Sequence, residues 1–188
     1  MYPIVCAGER LCLRELRTED TGAVFTIYGS ERATRHLSFP PRTREEVTDI
    51  VTRSVASASA LPRQEYVLAV TERDSPELIG LARMAFDPHQ QRAATLGGAL
   101  HPEVWGRGYS RECLRMLLSL AFEDLDLHRL WAARSPLNTT AARLLLGAGF
   151  TEEGRIRGHV RVRGAWRDSV VYGILREEWE GGRIARPS

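Results

Sequence analysis

The sequence contains no lysine: all 26 of its basic residues are arginine. That absence excludes a phosphate-loop lysine, a Schiff-base lysine and a lysine general base. A genome composition favouring arginine codons is a sufficient cause. Cysteine is scarce as well. Cys6, Cys12 and Cys113 are odd in number, widely spaced and free of any C-x-x-C pair, against both a disulfide framework and a zinc site. Charge of one sign is lacking too, because 26 basic and 24 acidic residues leave a net +2. Such a balance gives no strong pull toward nucleic acid or a membrane surface. No basic segment followed by an apolar run opens the sequence, so no secretory signal is expected. The longest apolar stretch, Leu114 to Phe122, is broken by Arg115 and Ser119 and is too short to span a bilayer. These absences together predict a soluble, cytoplasmic protein without a metal.

What is present suits one globular domain. A length of 188 residues, with 43% hydrophobic and 27% charged, is enough to bury a core. We expect a single domain over 1–180, with 181–188 a frayed tail carrying Gly181, Gly182 and Pro187.

Periodicity divides the chain. Arg10 to Leu16 alternates as a strand, and Thr18 to Asp20 supply a cap and first-turn acids for a helix ending near Tyr28. After Pro40 and Pro41, Thr43 and Glu46 have capping-box spacing, and Val47, Ile50, Val51 and Val55 recur at helical intervals. Tyr66–Val70, Leu78–Phe86 and Ala94–Leu100 read as an antiparallel meander. A helix over Ser110–Phe122, a strand over His128–Ala133 and a helix over Leu137–Leu146 follow, and strands open at Phe150 and Ser169. The order β-α-α-β-β-β-α-β-α-β-β predicts an α/β (α+β) fold, a mixed, mostly antiparallel sheet of about seven strands flanked by about four helices.

The chemistry-bearing stretch is Leu100-His101-Pro102-Glu103-Val104-Trp105-Gly106-Arg107-Gly108-Tyr109-Ser110, between a strand and a helix. Gly106 and Gly108 let the backbone turn tightly with its N–H groups converging at a helix mouth, which suits a phosphate or pyrophosphate. Arg107 adds a cation for a charge-assisted contact. The same glycines could serve as turn glycines alone. Arg111 stands where a Rossmann loop needs its third glycine, and a Walker loop needs lysine.

Trp105-Gly106-Arg107-Gly108-Tyr109-Ser110 resembles the pyrophosphate loop of the GNAT acetyltransferases, Gln/Arg-x-x-Gly-x-Gly/Ala, with Trp105 in the leading place. His128-Arg129-Leu130 and then Asn138, Ala141, Arg143 and Leu144 up to Gly149-Phe150 are similar to the family's segment after its splayed strands. Gly164-Ala165-Trp166-Arg167-Asp168-Ser169 through Gly173 is similar to the closing strand of the RimJ/RimL branch, and Leu78-Ile79-Gly80 also fits. The likeness runs roughly from Arg10 to Trp179.

The resemblance implies the GNAT fold and direct transfer of an acetyl group from acetyl-CoA to a primary amine, on a protein N-terminus or a small molecule. It assigns Leu100, Trp105, Gly106, Arg107, Gly108, Tyr109, Ser110, Asn138 and Arg143 to the cofactor, with Asn138 beside the pantetheine arm. Backbone N–H groups near Leu100 would hold the oxyanion. Three departures follow. Leu145 stands where many members have a thiolate-protonating tyrosine, Ala141 where the branch often has serine, and Thr95 where it has glutamate. Substitute acid–base candidates are Glu103, His101 and His159, with Tyr109 or Cys113 as proton donors to a thiolate. His36 and Trp166 are expected to line the acceptor cleft. Arg155, Arg157, His159, Arg161 and Arg163 alternate with apolar residues and would form a basic stripe, either a solvated strand face or a site for an acidic acceptor. Two other functions compete: a CoA-binding relative with weak or lost catalysis, and an arginine-rich nucleic-acid module. The near-neutral charge argues against the latter, so no nucleic-acid or membrane partner is expected; a homodimer is left open.

Overall fold

A computed structural model describes residues 2–184 of the protein. Eight strands form one sheet: β1 (Val5–Ala7), β2 (Leu11–Glu15), β3 (Glu65–Glu72), β4 (Leu78–Phe86), β5 (Ala93–Leu100), β6 (Arg129–Arg134), β7 (Thr151–Val162) and β8 (Ala165–Leu175). Their order across the sheet is β1-β2-β3-β4-β5-β6-β8-β7. Every neighbouring pair is antiparallel except β5 and β6. The helices are α1 (Thr21–Tyr28), α2 (Glu31–Thr34), α3 (Arg44–Ser57), α4 (Tyr109–Ser119), α5 (Thr139–Gly147) and α6 (Arg176–Ile184).

Local signals set these boundaries. At α3 the expected capping box is formed: the Thr43 hydroxyl accepts from Glu46 N–H, and the Glu46 carboxylate accepts from Thr43 N–H. The acids before α1 act differently from expectation, since Asp20 closes a short 3₁₀ turn by accepting from Arg17 N–H and is gripped by both terminal nitrogens of Arg14. The α4 helix passes into a π turn over Leu120–Asp124.

The two sheet faces carry separate apolar clusters. On β3, Leu68 and Val70 join the cluster beneath α4 and α5, while Ala69 between them joins the one beneath α1 and α3. Both faces are therefore covered, and β3 reads as a continuous apolar run. Val47 and Val51, one turn apart on α3, are fully buried; such burial stabilises by about 1.5–3 kcal/mol per side chain.

The structure departs from the sequence reading in four places. β1 is an eighth strand, three residues long, too short to show a period. The four-residue α2 is capped by the Ser30 hydroxyl, which accepts from Ala33 N–H. The arginine alternation on β7 is broken by a bulge: between the pairs Ile156↔Ser169 and Val160↔Arg167, three residues face Asp168 alone. Gly158, with φ +57°, makes that bulge, and its N–H donates to Asp168 together with Arg155. Finally, a sixth helix not expected from the sequence, α6, spans Arg176–Ile184, with the Trp179 ring against Phe122. The end of the expected tail, 185–188, lies outside the described residues.

Candidate active site

The parallel pair β5 and β6 is joined only over Ala93↔Arg129, Ala94↔Leu130 and Thr95↔Trp131. Beyond that point each strand keeps only its outer partner, β5 pairing with β4 as far as Leu100 and β6 with β8 as far as Arg134. A wedge thus opens in the middle of the sheet. In an antiparallel ladder, alternate residues turn both backbone groups to the partner. Asp87 N–H donates to Ala93 C=O, and His101 N–H to Ile79 C=O, so the odd-numbered residues of β5 face β4. Leu96, Gly98 and Leu100 therefore present their backbone groups to the wedge. Gly97 and Gly98 are exposed there. A Cβ on Gly98 would lie 2.5 Å from Leu81 C=O, so the close approach of β4 requires glycine.

Directly after β5, a 3₁₀ turn over Pro102–Val104 leads into the glycine loop. Gly106 and Gly108 both have φ +79°, a conformation that favours glycine, and Gly108 caps α4. The N–H groups from Gly106 to Ser110 find no acceptor among the described residues. Open amides at a helix mouth form an anion site. Trp105, in the leading place of the motif, bends back so that its indole N–H donates to Leu100 C=O at 2.9 Å.

A buried carboxylate holds this helix mouth against β2. Glu112, 6% exposed, accepts from Arg10 N–H at 2.6 Å, Leu11 N–H at 3.0 Å and Arg10 Nε at 2.9 Å. Burial alone would raise its pKa, but those hydrogen bonds outweigh it and hold the carboxyl below the usual glutamate range. Arg10 also donates to Arg107 C=O and lies over the Tyr109 ring. The Tyr109 hydroxyl donates to Glu72 at 2.6 Å, which raises its pKa, and Arg107 lies 3.6 Å from the same carboxylate.

Beyond the end of β6 is a cavity of about 290 Å³ lined by Arg35, His36, Ser135, Trp166 and Arg167 among others. The tip of the β7–β8 hairpin and the segment after α2 enclose it, and Arg32 of α2 stacks on Trp105 of the glycine loop. Arg167 donates through Nη1 to the carbonyls of His36 and Leu37, while its Nε is buried without an acceptor. Burial, and then Arg35 and Arg167, lower the His36 pKa.

The sequence-predicted residues divide accordingly. Leu100 and Trp105 to Ser110 meet at the wedge and helix mouth. His36 and Trp166 meet in the cavity. His101 and Glu103 lie beside each other at the end of β5, with His101 Nδ1 3.8 Å from the exposed Glu103 carboxylate. Asn138 caps α5, its Oδ1 accepting from Ala141 N–H at 3.1 Å, and Arg143 is exposed on the same helix. His159 is not brought to the wedge: it sits in the β7 bulge on the outermost strand, separated from β6 by β8. Cys113 is buried in the core with its pKa pushed up to about 12 by burial, and Tyr109 is engaged by Glu72, so neither is free as a proton donor. Sequence reasoning missed Arg10, Glu112, Arg35 and Arg167. Only Glu112 left a signal, a carboxylate on the otherwise apolar side of its helix beside Cys113.

The family profile described as Acetyltransferase (GNAT) domain matches residues 10–151. The chain is 28% identical to the uncharacterized N-acetyltransferase YoaA of Bacillus subtilis over 177 residues, covering 94% of this chain and 98% of YoaA. It is 26% identical to the [ribosomal protein uS5]-alanine N-acetyltransferase of Escherichia coli over 119 residues, 63% of this chain and 61% of that protein. In fold it is similar to Mycobacterium smegmatis RimJ, solved in complex with CoA-disulfide, with a TM-score of 0.82 and 24% identity over 94% of this chain and 90% of that one.

Proposed function

The chain belongs to the GNAT acetyltransferase family, and from that premise we propose that it transfers an acetyl group from acetyl-CoA to a primary amine by direct attack within a ternary complex. The observation that carries this reading is the junction of the β5–β6 wedge with the five open amides at the mouth of α4. A diphosphate suits those amides, and the glycines leave space for it, because a Cβ on Gly106 would meet nothing within 4 Å. The wedge takes the extended pantetheine arm, with Leu96, Gly98 and Leu100 offering backbone groups along it. When bound, acetyl-CoA supplies a thioester: the amine nitrogen adds to its carbonyl carbon, negative charge gathers on the oxygen, and the carbon–sulfur bond then breaks, the CoA sulfur leaving as thiolate and taking a proton from water.

The residues of this chain position the reactants and move protons. Donors on β5 face the place where negative charge grows on the thioester carbonyl oxygen, a device worth about 3–4 kcal/mol per donor in characterised enzymes. Holding the amine against the thioester contributes further, up to about 7–11 kcal/mol where alignment is good. His101 and Glu103 beside the wedge, and His36 in the cavity, are our candidates for taking the ammonium proton, directly or through water. His36, its pKa lowered, carries a free lone pair near neutral pH.

A CoA-binding protein with weak or lost catalysis is the second reading. It is favoured by Leu145, which is buried in the core, and by Thr95, whose hydroxyl donates to Ala85 C=O. Acetyl-CoA with a panel of primary amines, followed by thiol release and by mass of the product, decides between them. Thiol release coupled to a 1:1 acetylated amine supports transfer. Calorimetric CoA binding with no acetylated product from any amine supports the second reading.

A further inference from the structure

On the acetyl-transfer reading, we infer that the acceptor amine carries a carboxylate, held by Arg167 and Arg35 in the cavity beyond β6. Three arginines line this cavity, and no aspartate or glutamate does. Of the three, Arg163 is paired with Glu31 at 2.7 Å. Arg35 and Arg167 have no carboxylate within ion-pair distance among the described residues. Three other half-buried cations are matched by carboxylates: Arg14 is gripped by Asp20, Arg63 by Glu15 and Arg129 by Glu153. Arg167 has two backbone carbonyls, a buried unused Nε and no counter-charge; Arg134, at the end of β6, is similar but also donates to the Tyr172 hydroxyl and does not line the cavity.

A guanidinium removed from water without an anion is unfavourable. Its planar fork fits a carboxylate in two parallel hydrogen bonds. Carboxylate binding would supply the missing charge, and the exposed Arg35 across the cavity adds attraction. The volume, about 290 Å³, admits a group the size of one amino acid. Trp166, 69% exposed on the rim, offers an apolar wall. Ser135, directly after the end of β6, also lines the cavity, which sets it beside the open end of the wedge.

The test uses the full chain saturated with CoA and matched pairs of amines differing only in charge. L-leucine against L-leucinamide reports a main-chain carboxylate. Asp-Ala-Ala-amide against Asn-Ala-Ala-amide reports an acidic N-terminal side chain. Calorimetry should show the charged member of at least one pair binding about 10- to 100-fold tighter, the value of one charge-assisted pair. Arg167→Gln should erase that preference while leaving CoA affinity unchanged. If Arg167→Gln melts early, Arg35→Gln, an exposed position, should still weaken the charged member alone by a few-fold. Equal binding within both pairs, or a preference untouched in both variants, overturns the inference. A role for Arg167 as a tether of the His36–Leu37 loop alone would lower stability and leave the preference intact. Preferential carboxylate binding, with no thiol released when acetyl-CoA replaces CoA and any of these acceptors is present, would sink the acetyl-transfer reading and leave the anion site standing. Thiol release with the uncharged members alone would do the reverse.

Discussion

Replacing Glu112 with alanine tests how the helix mouth is held. The carboxylate accepts two backbone N–H groups and one guanidinium N–H from the strand β2 and its approach. Leu11 is fully buried, so its N–H cannot turn to water once the acceptor is gone. Arg10 is about half exposed and can rehydrate in part. Hydrogen bonds to charged groups contribute about 1.5–3 kcal/mol each, so the three together, discounted for Arg10, predict a loss of about 3–5 kcal/mol. At about 2–4 °C per kcal/mol for a domain of this size, the melting point should fall by about 6–20 °C. Glu112→Gln keeps an oxygen for the two amides but sets a donor against Arg10, and should lose only about 1–2 kcal/mol. Because the folded-state pKa of Glu112 is lowered, its contribution is whole above the ordinary glutamate value of about 4.3 and is lost as pH falls through the lower value. Urea unfolding at pH 7 and at several pH values below 4.5 measures both effects. The gap between wild type and Glu112→Gln should be constant near neutrality and close in acid. An alanine variant within about 1 kcal/mol of wild type at pH 7 would refute the reasoning.

Gly108→Glu would place a carboxylate in the proposed diphosphate site; at about 4 kcal/mol for like charges 4 Å apart near a surface, CoA affinity should drop by about three orders of magnitude. Calorimetry on a variant with a preserved far-ultraviolet spectrum measures it. Gly98→Val must displace the Leu81 carbonyl and crowd the wedge; we expect thiol release to fall at least tenfold and the melting point to drop by several degrees, about the response to 1–3 kcal/mol of overpacking. Cys113, with its thiol pushed up to about 12, should stay unlabelled by iodoacetamide at pH 8 in the folded protein and react fully in urea. Peptide mass mapping reads the result.

Particular residues explain which parts of this arrangement were legible in the sequence. Leu78–Phe86 matches its strand end for end because the turn at Asp74-Ser75-Pro76 marks its start and the apolar run fills it. Gly106 and Gly108 pointed to the loop because few other residues adopt φ +79°. Of the cavity only His36 and Trp166 were expected as lining; Arg35 and Arg167 were not, since they come together only when the β7–β8 hairpin folds against the segment after α2. The basic stripe misled because a two-residue period assumes an unbroken ladder, and Gly158 breaks it. Glu112 stands in the first turn of α4 beside Cys113, and the partner that makes it a buried clasp, β2, lies about a hundred residues away in the chain.

The open amides at the head of α4, taken as the proposed phosphate site, have an evolutionary consequence. A nest built from main chain asks nothing of the neighbouring side chains except that two of them be missing. Exchange of every lysine for arginine across a genome would pass over it without effect, whereas a phosphate pocket dependent on a single ammonium group would have been lost.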